Sequence, residues 1–118
     1  GQAGDRGLFM PRPIPRMSAD LLRGARAMAY PELAAAVLEP YAAGTFSRDE
    51  LDEICRDAYT YDVPLERVDG PRHLLRLDQG PTASFKDFAA RLMARLMAHA
   101  LAGGGGQQLD GRVMRFAR

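Results

Sequence analysis

Lys86 is the only lysine in a chain of 118 residues, and every other strongly basic side chain is an arginine. Arginine stays protonated, whereas a lysine amine loses its proton readily when desolvated and forms Schiff bases with carbonyl compounds. Lys86 lies in Asp78-Gln-Gly-Pro-Thr-Ala-Ser-Phe-Lys-Asp-Phe88, where a Gly-Pro turn leads through Thr82 and Ser84 to a predicted helix start. The macrodipole of that helix opposes a positive charge at its N-terminus by a few tenths to about 1 kcal/mol, which favours the neutral amine that imine chemistry needs. Phe85 and Phe88 flank the lysine with apolar surface that would restrict water. Asp87 acts in the opposite sense, although a first-turn carboxylate is also an ordinary complement to the helix dipole. Thr82 and Ser84 could donate hydroxyls to a phosphate, and both residue types are common in turns. The residues alone therefore leave two readings of Lys86 open, a covalent cofactor anchor and a surface lysine near a helix start.

Other reactive side chains carry weaker signals. Cys55 falls on the apolar stripe of a predicted helix and reads as a small buried hydrophobe rather than a nucleophile. His73 and His99 have no metal-ligand partners at suitable spacing and read as structural or solvated. Gly103–Gly106 resembles a phosphate-binding loop in composition only. It lacks the Lys-Ser/Thr pair and follows a helix rather than a strand, so it reads as a connector.

The elements that must position Lys86 can be traced along the chain. Residues 1–17 form an extended lead-in, loosened by Gly1, Gly4 and Gly7, with Leu8, Phe9 and Met10 as an apolar anchor and Pro11, Pro13 and Pro15 forbidding helix. Ser18 predicts the N-cap of a short helix to about Ala29. Pro31 opens a second helix to about Leu38, with Leu33, Val37 and Leu38 inward, until Pro40 and Gly44 break it. Ser47-Arg-Asp-Glu50 is a capping box. It starts a third helix to about Ala58, whose buried stripe is Leu51, Ile54, Cys55 and Ala58. Leu65–Val68 and His73–Leu77 read as strands joined through Asp69-Gly-Pro71. After the lysine segment, Phe85, Phe88, Ala89, Leu92, Met93, Leu96, Met97, Ala100 and Leu101 recur at helical spacing, with Arg91, Arg95 and His99 on the opposite face. Val113–Ala117 reads as a further strand.

This order predicts an α/β class, mainly α here. A helical segment over 1–62 precedes the first strands and helix of an open α/β fold over 63–118, left incomplete. An uncovered strand edge or helix face would favour self-association, so a homo-oligomer is compatible with the sequence. Hydrophobic content of 47% and charged content of 26% fit a globular domain. A net charge of +1 gives no field for nucleic acid or an anionic membrane, and no apolar run reaches a membrane span. A single cysteine fits a reducing, cytoplasmic setting.

With those residues in place, the chain resembles the threonine synthases, pyridoxal-phosphate enzymes of the tryptophan-synthase-β type. Gly80-Pro-Thr-Ala-Ser-Phe-Lys-Asp-Phe88 is similar to their Gly-Pro-Thr-x-Ala/Ser-Phe-Lys-Asp-Phe segment. Gly1-Gln-Ala-Gly-Asp-Arg-Gly-Leu-Phe-Met-Pro11 is similar to their Gly-rich N-terminal Leu-Phe segment, and Tyr30–Tyr59 to their N-terminal helical part. The resemblance implies that Lys86 anchors pyridoxal 5'-phosphate as an imine and, once freed, moves protons as base and acid. It places Phe85 against the cofactor and Thr82 and Ser84 near the substrate. It also implies conversion of O-phosphohomoserine and water to threonine and phosphate. Arg76 stands where family members often carry an acidic residue. The family's Ser-Gly-Asp-Thr-Gly-like phosphate loop is expected just beyond Arg118, so 118 residues are expected to be inactive alone. A serine/threonine dehydratase-like lyase is the alternative enzyme, although such enzymes usually lack the helical segment. A non-catalytic association module is the alternative outside enzymes.

Overall fold

The computed structural model describes residues 4–8, 10–11 and 13–103. Ser18 caps helix α1, Ala19–Gly24, by accepting the Leu21 amide at 3.0 Å. One 3-10 turn, Ala25–Ala27, follows, and Met28 and Ala29 are then extended. The α-helix stops short of the predicted Ala29, giving way after Gly24 to the 3-10 turn and then to extended backbone. Leu8 and Met10, expected to anchor the lead-in, are instead exposed at 84% and 61%, and Phe9 lies outside the described residues.

Helix α2, Tyr30–Ala42, begins where Glu32 turns back to accept the Ala29 amide at 3.1 Å. It continues through Pro40, against the expected break at that residue. Proline removes one ladder bond, and so close to the helix end that loss is offset by packing of Leu38, Ala42 and Phe46 on the core. The amides of Thr45 and Phe46 both donate to the Ala42 carbonyl, at 2.9 and 3.1 Å, and Gly44 turns the chain at φ +81. The inward face also differs from expectation. Ala35 is fully buried and Tyr30, Ala34, Leu38 and Ala42 pack beside it, while Leu33 and Val37 are half-buried outside that cluster. Ala35 joins Leu51, Cys55 and Ala58 of the following helix in one buried cluster.

Helix α3, Arg48–Ala58, follows its sequence signals closely. Ser47 Oγ accepts the Glu50 amide at 3.3 Å, and Glu50 Oε2 accepts the Ser47 amide at 2.7 Å. Leu51, Ile54, Cys55 and Ala58 are all buried. Cys55 is fully buried, and burial first, with Asp52 adding to it, pushes the thiol up to about 11. Native protein should therefore leave Cys55 unmodified by a thiol reagent at pH 8, with full reaction only after denaturation. Rapid labelling of folded protein would contradict this packing. Because the folded thiol value is raised, its stabilising effect is complete below about pH 9 and fades as pH rises towards 11.

Strands β1, Leu65–Asp69, and β2, Arg72–Leu75, form an antiparallel hairpin with Leu65 opposite Leu75 and a bulge between Arg67 and Asp69. Gly70, at φ +43, supplies the left-handed turn position. Leu77 falls beyond β2. Helix α4, Lys86–Gly103, then packs across α3. Phe88, Leu92 and Leu96 face the core, whereas Phe85, Met93, Met97 and Leu101 are exposed. None of the helices among the described residues is long and apolar enough to cross a membrane. Of the predicted connector Gly103–Gly106, Gly103 is the last residue of α4, and residues 104–106, like the predicted strand Val113–Ala117, lie outside the described residues.

The expected solvent face of α4 is the clearest departure. Arg91 and Arg95 reach over the end of α3 instead. Arg91 Nε donates to the Ala58 carbonyl at 2.7 Å, and its Nη2 to the Asp57 carbonyl at 3.3 Å. Arg95 Nε pairs with Asp57 at 2.9 Å. A helix C-terminus leaves carbonyls without partners and carries the negative end of the dipole, so two guanidinium groups belong there.

Candidate functional site

The segment ahead of Lys86 is a tight turn. The Ala83 amide donates to the Gly80 carbonyl at 3.0 Å, and Ala83 takes a left-handed φ of +54. L-residues other than Asn and Asp seldom adopt that conformation, which costs about 1–2 kcal/mol. The Asp87 amide donates to the Ser84 carbonyl at 3.0 Å and the Lys86 amide to Ser84 Oγ at 3.3 Å, starting α4.

Asp87 points back into this turn. Its Oδ2 accepts the Thr82 amide at 2.9 Å and its Oδ1 accepts the Thr82 hydroxyl at 2.8 Å. The side chain is buried, with 7% exposure. Its carboxylate is thus occupied by Thr82 rather than neutralising its neighbour. Among the described residues, Lys86 makes neither an ion pair nor a side-chain hydrogen bond, and it is exposed.

The two phenylalanines part company. Phe85 is 64% exposed, on the open side of the segment. Phe88 turns into an aromatic cluster, meeting Tyr30 at 5.7 Å, Tyr61 at 5.3 Å and Tyr59 at 5.9 Å between ring centroids. The Tyr59 hydroxyl also donates to the Phe88 carbonyl at 3.3 Å. Phe88 therefore joins the helical layer rather than shielding the amine, because it is two positions further round α4. Burial first, then the Asp87 charge, raises the Tyr61 phenol, while Arg91 lowers it. Tyr30 sits on α2 and Tyr59 and Tyr61 just beyond α3, so the N-terminal helices hold the first turn of the lysine helix.

The approach to the turn is fixed from the other side. Arg76 binds Asp78 through two contacts at 2.8 and 2.7 Å and reaches Glu66 of β1 at 3.0 Å. The guanidinium of Arg76, with Gln79 adding to it, holds the Asp78 carboxyl well below the usual carboxylate range. The pairing is therefore retained above the ordinary carboxylate value and lost only as pH falls through that depressed one. Arg76 thus has a defined place tying the segment to the hairpin. Leu74, Leu75, Leu77 and Phe85 line an open, shallow groove beside it.

Of the residues singled out from sequence, Lys86, Phe85, Ser84 and Thr82 share this one turn. The Thr82 hydroxyl proton is committed to Asp87, whereas that of Ser84 has no acceptor among the described residues. His73 and His99 stay apart, and no group of metal-ligating side chains occurs among the described residues. The Asp87 clamp and the Arg91 cap escape the sequence reading. The only signal for the first was an acid five residues after a turn threonine.

The model for "Threonine synthase N terminus" matches residues 1–59, half of the chain. A threonine synthase of Pseudomonas aeruginosa is 36% identical over 107 residues, covering 86% of this chain and 23% of that relative. A solved pyridoxal-phosphate-bound threonine synthase from Brucella melitensis superposes with a TM-score of 0.80 at 37% identity, over 89% of this chain and 24% of that one. The Escherichia coli threonine synthase structure gives a TM-score of 0.79 at 27% identity, over 85% and 23%. The chain spans about a quarter of the length of these proteins and corresponds to an N-terminal part of the enzyme, the strained lysine turn included in the aligned share. It belongs to the threonine synthase family.

Proposed function

We propose that this chain is the part of a threonine synthase that carries the cofactor-anchoring lysine, Lys86. In the complete enzyme the reaction would convert O-phosphohomoserine and water to threonine and phosphate. The observation that carries the reading is the sole lysine of the chain, exposed and without an ionic partner among the described residues, at the end of a strained turn. Residues 1–62 serve as the N-terminal helical segment and residues 63–118 as the start of the pyridoxal-phosphate domain. The match over residues 1–59 favours this over a dehydratase-like lyase.

The donor set fits pyridoxal 5'-phosphate. Lys86 offers a primary amine for its aldehyde, Phe85 an exposed ring, and Ser84 a free hydroxyl proton. When bound, the cofactor supplies an electron sink for charge that develops next to the amino-acid carbon. Lys86 Nζ would hold it and, once free, would move protons to and from the substrate carbons. Ser84 and Thr82 face the substrate end, with Thr82 limited to accepting a hydrogen bond while its proton serves Asp87. Held by the helical layer through Phe88, the amine keeps one direction of approach during turnover. The reading places the enzyme in the cytoplasm and leaves residues 1–118 alone without turnover, since they supply only this part of the site.

The direct test is product formation. The complete enzyme, loaded with pyridoxal phosphate, should release phosphate and threonine in equal amounts from O-phosphohomoserine. Deamination of threonine or serine to a keto acid, without phosphate chemistry, would replace this reading by the dehydratase one.

A further inference from the structure

We propose that Asp87 is a positioning residue for Lys86: its carboxylate clamps Thr82 and so sets the direction in which the neighbouring lysine leaves α4. The proposal rests on the reading of Lys86 as cofactor anchor. It concerns a side chain that touches neither amine nor cofactor.

The geometry is that of a closed ring. Both carboxylate oxygens of Asp87 are engaged by one residue, Thr82, through its amide at 2.9 Å and its hydroxyl at 2.8 Å. The backbone closes the same loop, with the Asp87 amide on the Ser84 carbonyl at 3.0 Å and the Ala83 amide on the Gly80 carbonyl at 3.0 Å. Lys86 lies inside this ring, four positions after Thr82 and directly before Asp87. A buried carboxylate that lost these donors would be left with an uncompensated charge, so the bonds are strongly held.

Two further features show that the turn needs holding. Ala83 is left-handed at φ +54, a conformation that relaxes unless its surroundings enforce it. Gly80 packs against the clamp itself. A Cβ there would lie 2.8 Å from Asp87 Cβ and 3.0 Å from its Cγ, and nearer still to Oδ2. No side chain fits at residue 80 while Asp87 holds its place. Phe88, the next residue, is fixed by three aromatic rings. Asp87 therefore connects a strained turn to the one part of α4 already anchored, and Lys86 is carried between them.

The test compares variants of the complete enzyme. Asp87→Asn can keep both contacts, its amide oxygen accepting the Thr82 amide and its amide nitrogen donating to the Thr82 hydroxyl. Asp87→Ala keeps neither. Misplacement of the amine by about 1 Å predicts a kcat loss of about 100-fold for Asp87→Ala, with KM changed far less. The visible absorption of the pyridoxal-phosphate-loaded protein should move towards that of free cofactor, and the yield of pyridoxyl label fixed on Lys86 by borohydride should fall. Asp87→Asn should restore most of all three. Gly80→Ala, which pushes on Asp87 without altering its hydrogen-bonding groups, should reproduce the Asp87→Ala pattern and serves if that protein does not fold. The proposal is overturned if the folded Gly80→Ala and Asp87→Ala proteins lose thermal stability while kcat, absorption and label stay unchanged. It is equally overturned if Asp87→Asn is as impaired as Asp87→Ala. Absence of label from Lys86 in the unaltered protein would instead remove the anchor reading, and this proposal with it.

Discussion

Replacing Lys86 with alanine in the complete enzyme should lower kcat by roughly a thousandfold or more, since both the covalent anchor and the proton carrier are lost. Lys86→Arg should be equally inactive, although it keeps the charge, because a guanidinium stays protonated and offers no free amine. The pair of variants separates chemistry from electrostatics. Lys86 is exposed and makes no ion pair among the described residues, so neither change should disturb folding. Turnover by either protein within about tenfold of the unaltered enzyme would contradict the role given to this amine.

The second large effect lies two residues from the lysine, within the same first turn of α4. Phe88→Ala should destabilise the protein by about 2–4 kcal/mol, somewhat below a fully buried aromatic because Phe88 is only half-buried. The loss is larger than one contact because the ring joins Tyr30 from α2 to Tyr59 and Tyr61 beyond α3. Tyr59→Phe removes only the hydroxyl donated to the Phe88 carbonyl and should cost about 1 kcal/mol. Urea unfolding followed by circular dichroism reads both. Equal midpoints for Phe88→Ala and the unaltered protein would mean that the helical layer does not hold the lysine helix.

The sequence made some elements plain and left others hidden, for identifiable reasons. Helix α3 was legible because two local signals agree, the Ser47–Glu50 capping box and the Leu51, Ile54, Cys55, Ala58 stripe. Helix α4 was legible as a helix but not in its orientation. Leu92 and Leu96 form one apolar ridge and Met93 and Met97 the next, and only the position of α3 decides which is covered. The same partner draws Arg91 and Arg95 inward, since carbonyls at the end of α3 cannot be foreseen from residues more than thirty positions away.

Pro40 misled because a proline near a helix end sacrifices one bond, which packing of Ala42 and Phe46 outweighs. At the candidate site, Lys86 stood out by being alone, and the Gly-Pro-Thr turn could be read in advance. The function of Asp87 could not. In sequence, a carboxylate clamped on Thr82 looks the same as one that merely complements the helix dipole.

The measurement that bears most directly on the account is chemical mapping of the anchor. The complete enzyme, loaded with pyridoxal phosphate, is reduced with borohydride, digested and analysed by mass spectrometry. The account predicts one pyridoxyl group, carried by the peptide that contains Lys86. A label on any other residue, or a loaded active enzyme whose Lys86 peptide remains unmodified, would contradict it.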